Sequence, residues 1–349
     1  MSFYAVLGLV EVIGKLLIVY MVAFLAMDRL IAYSMLLIML TSILLLVYYL
    51  YCKKNFKLQT TYSRVIDREL FKKIAAFSGW SLLGNVALVG SNQGLNILKN
   101  MFFGVVVNAA MGIAYQVNTA VYSFVSNFQT AFTPQVTQSY AENDFEKHRK
   151  LVLQSSKFSF FMLLVISVPI FINTEFILTL WLKSIPAYTV EFVQLILIIS
   201  LIDALANPFW MSAAAAGNIR NYQIAIASIL ILNLPLSYIF LKMGSGAAQI
   251  LVIKVLLQFI MYLFRLFYVR SRVEFSAQYL FRYFAEIIVV SLLVSAMVYT
   301  CRYVINLPEN LPALVLVSLL SGITTLGVVW WIGLTSAERV FLLKMFRKK

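Results

Sequence analysis

Residues 74–98 read IAAFSGWSLLGNVALVGSNQGLNIL, a run of 25 residues without one charged side chain, closed by Lys73 on one side and Lys99 on the other. A helix that crosses a bilayer takes about 20 residues, so the run is long enough to span. It is too hydrophilic to face lipid all round. At 100° per residue Ser78, Ser81, Asn85, Asn92, Asn96 and Lys99 fall within an arc of about 60°, which makes one wet stripe along an otherwise apolar helix. The next run, 108–133, repeats the pattern: Tyr115, Thr119, Tyr122, Ser126, Gln129 and Thr133 recur at spacings of three and four and share an arc of about 80°. Interhelical hydrogen bonds of about 0.6 kcal/mol each, with Gly79, Gly84, Gly90 and Gly94 allowing close approach, are the alternative use of such residues. Packing of that kind needs only one or two polar contacts per helix, and stripes running the length of both spans favour a water-filled cavity.

Working outward from these two runs, eight further apolar stretches bounded by charges, Gly or Pro predict spans at 3–25, 30–51, 158–180, 190–214, 221–242, 247–269, 284–306 and 312–334. The fold class is therefore an all-α polytopic membrane protein of about ten transmembrane helices. Composition agrees: of 349 residues, 62% are hydrophobic and 12% charged, against about 25% charged in an ordinary soluble domain, and the mean hydropathy is +0.89. Cys52 and Cys301 are the two cysteines, too few and too far apart for a disulfide scaffold or a thiolate metal site. No cofactor is expected. The start of the chain reads as a first span rather than a cleavable signal, because it lacks a basic flank and another apolar run follows at once.

The formal charge of +14 is accounted for by topology. Assigning the basic segment after residue 51 to the cytoplasm and alternating from there places 20 Lys and Arg residues inside and 5 outside, as the positive-inside rule requires. Both termini are then cytoplasmic, and nucleic-acid binding is not expected. The tail 335–349, with Arg339, Lys344, Arg347, Lys348 and Lys349 among apolar residues, suits a short helix lying on an anionic leaflet.

Few ionisable groups fall at membrane depth, where they are expensive and default to function. Glu11 and Lys15 stand one turn apart on the first span and can pair. Asp203 lies mid-span, one turn before Asn207 and Pro208, and the proline frees a carbonyl that a cation or proton relay can use. Glu11 and Asp203 are the candidates for ion coupling. Lys254 and Arg265 sit close enough to the two surfaces to snorkel. Catalysis finds no foothold: the stretch from Gly8 to Leu16 has the wrong glycine spacing for a phosphate loop and Leu16 replaces its Ser or Thr, and His148, among Lys147, Arg149 and Lys150, reads as a solvated loop residue.

Lys15-Leu16-Leu17-Ile18-Val19-Tyr20 set against Asn233-Leu234-Pro235-Leu236-Ser237-Tyr238 brings two basic stops, Lys53 and Arg270, nearly into register, which suggests a parallel repeat of spans 1–2 in spans 7–8. Phe77-Ser78-Gly79-Trp80, Phe102-Phe103-Gly104, Val107-Asn108-Ala109-Ala110-Met111-Gly112-Ile113-Ala114, Ala131-Phe132-Thr133-Pro134-Gln135 and Ser139-Tyr140-Ala141 resemble the bacterial polysaccharide transport family. So do Ser156-Lys157-Phe158-Ser159, Leu180-Trp181-Leu182 and Gly217-Asn218-Ile219-Arg220-Asn221-Tyr222-Gln223. The resemblance extends over essentially the whole chain. It implies two six-helix lobes around a central cavity and alternating access that carries undecaprenyl-pyrophosphate-linked oligosaccharides outward across the inner membrane, as O-antigen and capsule-repeat flippases do, with membrane lipid and glycan-assembly proteins of the same membrane as partners.

Mapped on that plan, 1–51 are the last two helices of an incomplete N-terminal lobe, 52–73 a basic inter-lobe loop, 74–270 a six-helix C-terminal lobe, 271–334 two additional helices and 335–349 the tail. The first four helices are expected to be missing, as in a fragment or a truncated product. In this scheme Lys15 and Lys99 attract the pyrophosphate, the residues of the two stripes contact sugar, and Asp203 or Glu11 exchanges an ion. The alternatives are a cation-coupled multidrug exporter of the same superfamily and a non-functional truncated fragment. A membrane enzyme acting on the same glycans is disfavoured because the longest outside loop has only about ten residues, too few for a catalytic domain.

Overall fold

A computed structural model of the chain describes residues 2–24, 28–56, 67–303, 311–334 and 338–339. Every regular element among them is helical: α1 Ser2–Phe24, α2 Arg29–Asn55, α3 Arg68–Phe103, α4 Val105–Ala141, α5 Phe145–Ile172, α6 Thr174–Trp181, α7 Thr189–Ala215, α8 Arg220–Lys242, α9 Ala247–Val273, α10 Ala277–Tyr303 and α11 Leu311–Val328, which runs into a π-helical turn Val329–Gly333. Seven of these, α2, α3, α5, α7, α8, α9 and α10, are long and apolar enough to cross a membrane. α4 carries no charge, yet its polar stripe keeps it out of that set. Large apolar side chains such as Leu9, Leu45, Leu82 and Ile97 stand more than half exposed, far more apolar surface than a water-soluble fold tolerates. The protein is a multi-pass membrane protein. Most of the basic tail and residues 57–66 of the basic loop lie outside the described residues.

The chain divides into two compact units, Met1–Phe71 and Lys72–Lys349. The first is the α1–α2 hairpin, with Ile18, Val22 and Ala32 buried between its helices. Asp28 caps α2 by accepting the Leu30 N–H at 2.8 Å, which satisfies one of the orphan donors of a helix start. Lys15 and Glu11 pair at 2.6 Å on α1, as their spacing predicts, with both side chains more than two-fifths exposed.

In the second unit α7 is the hub, packed against α4, α5, α6 and α9. Phe192, Val193, Leu197, Ala204 and Phe209 are buried along it. Pro208 lies inside α7 and has no N–H for the carbonyl four residues earlier. That carbonyl, of Ala204, accepts instead from Gln129 Nε2 of α4 at 3.1 Å, and Gln129 Oε1 in turn accepts from Asn207 Nδ2 at 2.7 Å. The carbonyl read from the sequence as open to a cation or proton relay is thus occupied by a protein donor. Ser200 adds a second stitch by donating to Asn118 Oδ1. Leaving a buried carbonyl unpaired costs about 1–3 kcal/mol, so Gln129→Leu is expected to lower the thermal unfolding temperature in detergent by several degrees. An unchanged melting curve would show that another donor replaces Gln129.

α4 and α5 are separated by only three residues, which places His148 on the first turn of α5 rather than in a loop. The expectation of a solvated histidine is corrected: His148 is fully buried. Its Nδ1 lies 3.0 Å from the Val136 carbonyl, which can only accept, so Nδ1 carries the proton; Nε2 accepts from the Ser212 hydroxyl at 2.7 Å. The imidazole ties α4, α5 and α7 together as a neutral group. α10, α11 and the π-helical turn pack on one another, and α10 and α11 pack against α5. Their polar fastening is Lys157 of α5, whose ammonium lies 2.6 Å from Glu286 of α10 and 2.6 Å from Glu338, with all three side chains at most 14% exposed.

Candidate functional site

The helices of the second unit enclose a cavity of about 460 Å³. Its walls are built from one face each of α3, α4, α7, α8 and α9. α3 contributes Ser81, Asn85, Ser91 and Asn92, and α4 contributes Tyr115, Asn118 and Tyr122. From α7 come Ser200, Asp203, Asn207 and Trp210, from α8 Tyr222, Gln223 and Asn233, and from α9 Lys254, Gln258 and Arg265. Glycine shapes the α3 wall. The side chain of Gln223 lies against the backbone at Gly84, and a Cβ at Gly94 would come within 2.6 Å of Leu234 Cδ2, so side chains of α8 rest directly on α3.

The charged groups form a single arrangement. Lys254, Gln258 and Arg265 share an arc of about 40° on α9, and the two cations lie about 16 Å apart along the helix at 1.5 Å per residue. Lys254 Nζ donates to Asn92 Oδ1 at 3.0 Å and lies 5.8 Å from the centroid of the Tyr115 ring. Asp203 accepts from the Gln258 amide, which holds the carboxylate on the α9 face between the two cations. Two positive groups against one negative leave the lining with a net positive charge. Ser81 Oγ and Arg265 Nε, both buried, have no hydrogen-bond partner among the described residues. Buried polar atoms of this kind are costly unless satisfied, so the wall is suited to a polar occupant. Among the described residues no cluster of three His, Cys, Asp or Glu side chains converges as a metal ion requires.

Six of the residues singled out from the sequence line this cavity: Ser81, Asn85, Asn92, Tyr115, Tyr122 and Asp203. The others lie elsewhere. Ser78 is exposed one turn before the α3 wall begins, and Asn96 is half-buried with its amide directed at Gln93 of the same helix. Lys99 is buried but lines no part of the cavity. Thr119 and Ser126 turn their hydroxyls back on the α4 backbone at Tyr115 and Ser123. Gln129 is spent on the α7 proline break. Lys15 and Glu11 belong to the α1–α2 unit and bond to each other. Sequence reasoning missed Lys254 and Arg265 as cavity residues because each was read alone as a cation reaching for its nearest surface. The same arc test that found the α3 stripe joins them through Gln258.

Residues 81–239 match the MatE family. The match opens at Ser81, the first residue of the cavity wall, and closes near the end of α8. A match of this kind indicates a membrane transporter of the multidrug, oligosaccharidyl-lipid and polysaccharide exporter superfamily. The α9 face carrying Lys254, Gln258 and Arg265 lies beyond the matched residues of the MatE domain. No curated protein and no solved structure matches the chain.

Proposed function

We propose that this protein takes part in moving an undecaprenyl-pyrophosphate-linked oligosaccharide, an O-antigen, capsule or exopolysaccharide repeat unit, across the bacterial inner membrane by alternating access, with both termini in the cytoplasm. The observation that carries this reading is the composition of the cavity wall. Amides, hydroxyls and aromatic rings suit sugars, and Lys254 and Arg265 suit a pyrophosphate, because a guanidinium and an ammonium bind phosphate oxygens through charge-assisted hydrogen bonds. In this scheme these two residues take the role expected of Lys15 and Lys99. Asp203, between the cations, offsets one of the two positive charges and is the group through which a proton or cation is exchanged.

A cation-coupled multidrug exporter is the second reading, and Asp203 is the observation that favours it, since a carboxylate attracts a cationic drug. The surplus of positive charge around Asp203 weighs against it. Proteoliposomes of the full chain distinguish the two when a lectin-accessible undecaprenyl-pyrophosphate sugar and a cationic dye are followed in parallel. Movement of the sugar lipid above the protein-free rate, abolished in Asn85→Leu/Asn92→Leu/Tyr122→Leu while expression and folding persist, is the expected result. Dye movement without sugar-lipid movement would overturn the flippase reading.

A further inference from the structure

A second cavity, about 630 Å³, opens between the first turns of α5 and the first turns of α10 and shares no residue with the cavity described above. Its wall is layered by charge. At the floor lie Lys157, Glu286 and Glu338, with the exposed Arg282 donating to Glu286 at 2.9 Å, so among the described residues two cations meet two carboxylates there. Towards the mouth lie Arg149, Lys150 and Glu146, and this layer has a net positive charge. Arg149 is held in place by donating Nη1 to the carbonyls of Glu274 at 2.8 Å and Val273 at 3.3 Å. Among the described residues Lys150 is in no ion pair. Beside these cations the wall is apolar and aromatic, with Leu153, Phe275 and an exposed Tyr279.

The level of this cavity along the helices narrows what it can hold. The predominantly apolar, charge-free stretch of α5 begins at Phe158 and that of α10 at Ile287, each one residue past the floor. Both helices therefore leave the hydrocarbon core at this depth, where lipid head groups lie, and an interfacial tyrosine beside basic side chains is the usual dress of that layer. A guanidinium and an ammonium next to an apolar wall fit a phosphate that carries a glycerol backbone and chains better than a free ion, which would use the cations alone.

We propose that this cavity binds the head-group phosphate of an anionic phospholipid of the surrounding leaflet, with Arg149, Lys150 and Arg282 as the phosphate ligands and Phe275 and Tyr279 against the start of the chains. The seat is mechanically tied to the bundle. Tyr283, on its wall, bonds to the Ser156 hydroxyl at 2.6 Å, and Ser156 donates to the Leu205 carbonyl of α7 at 2.7 Å. A lipid bound here is thus expected to stabilise the contact of α10 with α5 and α7. The proposal does not depend on which cargo the transporter carries.

The test places the full chain in phosphatidylcholine nanodiscs with and without phosphatidylglycerol, counts retained lipid by native mass spectrometry and follows thermal unfolding. The wild type is expected to retain phosphatidylglycerol over phosphatidylcholine and to melt higher with it. Lys150→Gln, a change at an exposed side chain, should weaken that preference about tenfold, the worth of one charge-assisted hydrogen bond, and Lys150→Gln/Arg282→Gln should abolish it. Lys147→Gln, an exposed cation on the same helix outside the cavity, should leave it intact. Equal loss in Lys147→Gln, or no loss in the double variant, would assign the lipid preference to diffuse surface charge and overturn the site. Stabilisation by inorganic phosphate in pure phosphatidylcholine discs, equal to that by phosphatidylglycerol, would overturn the lipid as its occupant.

Discussion

Lys254→Gln/Arg265→Gln is expected to weaken binding of an undecaprenyl-pyrophosphate sugar by roughly 10²–10⁴-fold, because each substitution removes a charge-assisted hydrogen bond of about 1.5–3 kcal/mol. The single variants should each fall by roughly 10–150-fold on the same estimate, and the two losses need not add, since both cations would act on one ligand. The sign at Asp203 sharpens the test. Asp203→Asn removes the one carboxylate set between two cations on the cavity wall, so affinity for an anionic lipid should rise while any proton or cation dependence of transport is lost. For a cationic drug the same substitution should lower affinity. Titrating both ligand types against wild type and the four variants, with quenching of Trp210 on the cavity wall as the signal, gives opposite orders for the two readings.

The largest loss of stability is expected at Lys157, which is remote from the transport cavity. Its ammonium sits between Glu286 and Glu338 at 2.6 Å each and is 5% exposed. Lys157→Met removes the ammonium that both carboxylates share, and Arg282, which pairs with Glu286, is itself 65% exposed. Breaking a buried ion network by removing one partner costs about 3–5 kcal/mol, whereas replacing the whole network with apolar side chains is often neutral or stabilising. The variant should therefore melt well below wild type, and limited proteolysis should release the α10–α11 region first. Lys157→Met/Glu286→Leu/Glu338→Leu should recover most of the stability. Failure of the triple variant to recover would mean that the charges hold α10 through geometry that packing cannot replace.

Much of this architecture was legible in the sequence because bilayer thickness and helical periodicity act locally. Apolar runs of spanning length marked the helices, and the stripe on residues 74–98 marked a face that meets water, of which Ser81, Asn85 and Asn92 reach the cavity. The ends of that stripe did not follow, since periodicity gives a direction around a helix but not the depth at which a neighbour begins or ends. On α4 the face that reaches the cavity is Tyr115, Asn118 and Tyr122, while Gln129 faces α7: a straight stripe on one helix meets partners that cross it at an angle. Lys254 and Arg265 illustrate a second limit. A lone cation in an apolar helix can be accommodated by reaching to the surface or by facing an internal polar wall, and nothing within its own helix decides between them. His148 shows a third, because its partners Val136, Ser139 and Ser212 lie on α4 and α7, and only the tight α4–α5 turn brings them together.

The stitching of α4 to α7 implies an uneven compliance around the cavity. On one side Gln129 and Ser200 cross-link two helices through side chain and backbone. Elsewhere on the wall α3 meets α9 and α8 through the Lys254–Asn92 bond, the Arg220 guanidinium over the Trp80 ring, the Phe102–Tyr238 ring contact, the buried Leu95, Leu241 and Ile250, and side chains resting on glycine, contacts that can slide without stranding a buried carbonyl. Any rocking that opens the cavity should thus use the α4–α7 pair as its fulcrum and α3 as its moving jaw. The proline in α7, which in most helices is a point of weakness, would then lie in the stiffest part of the machine.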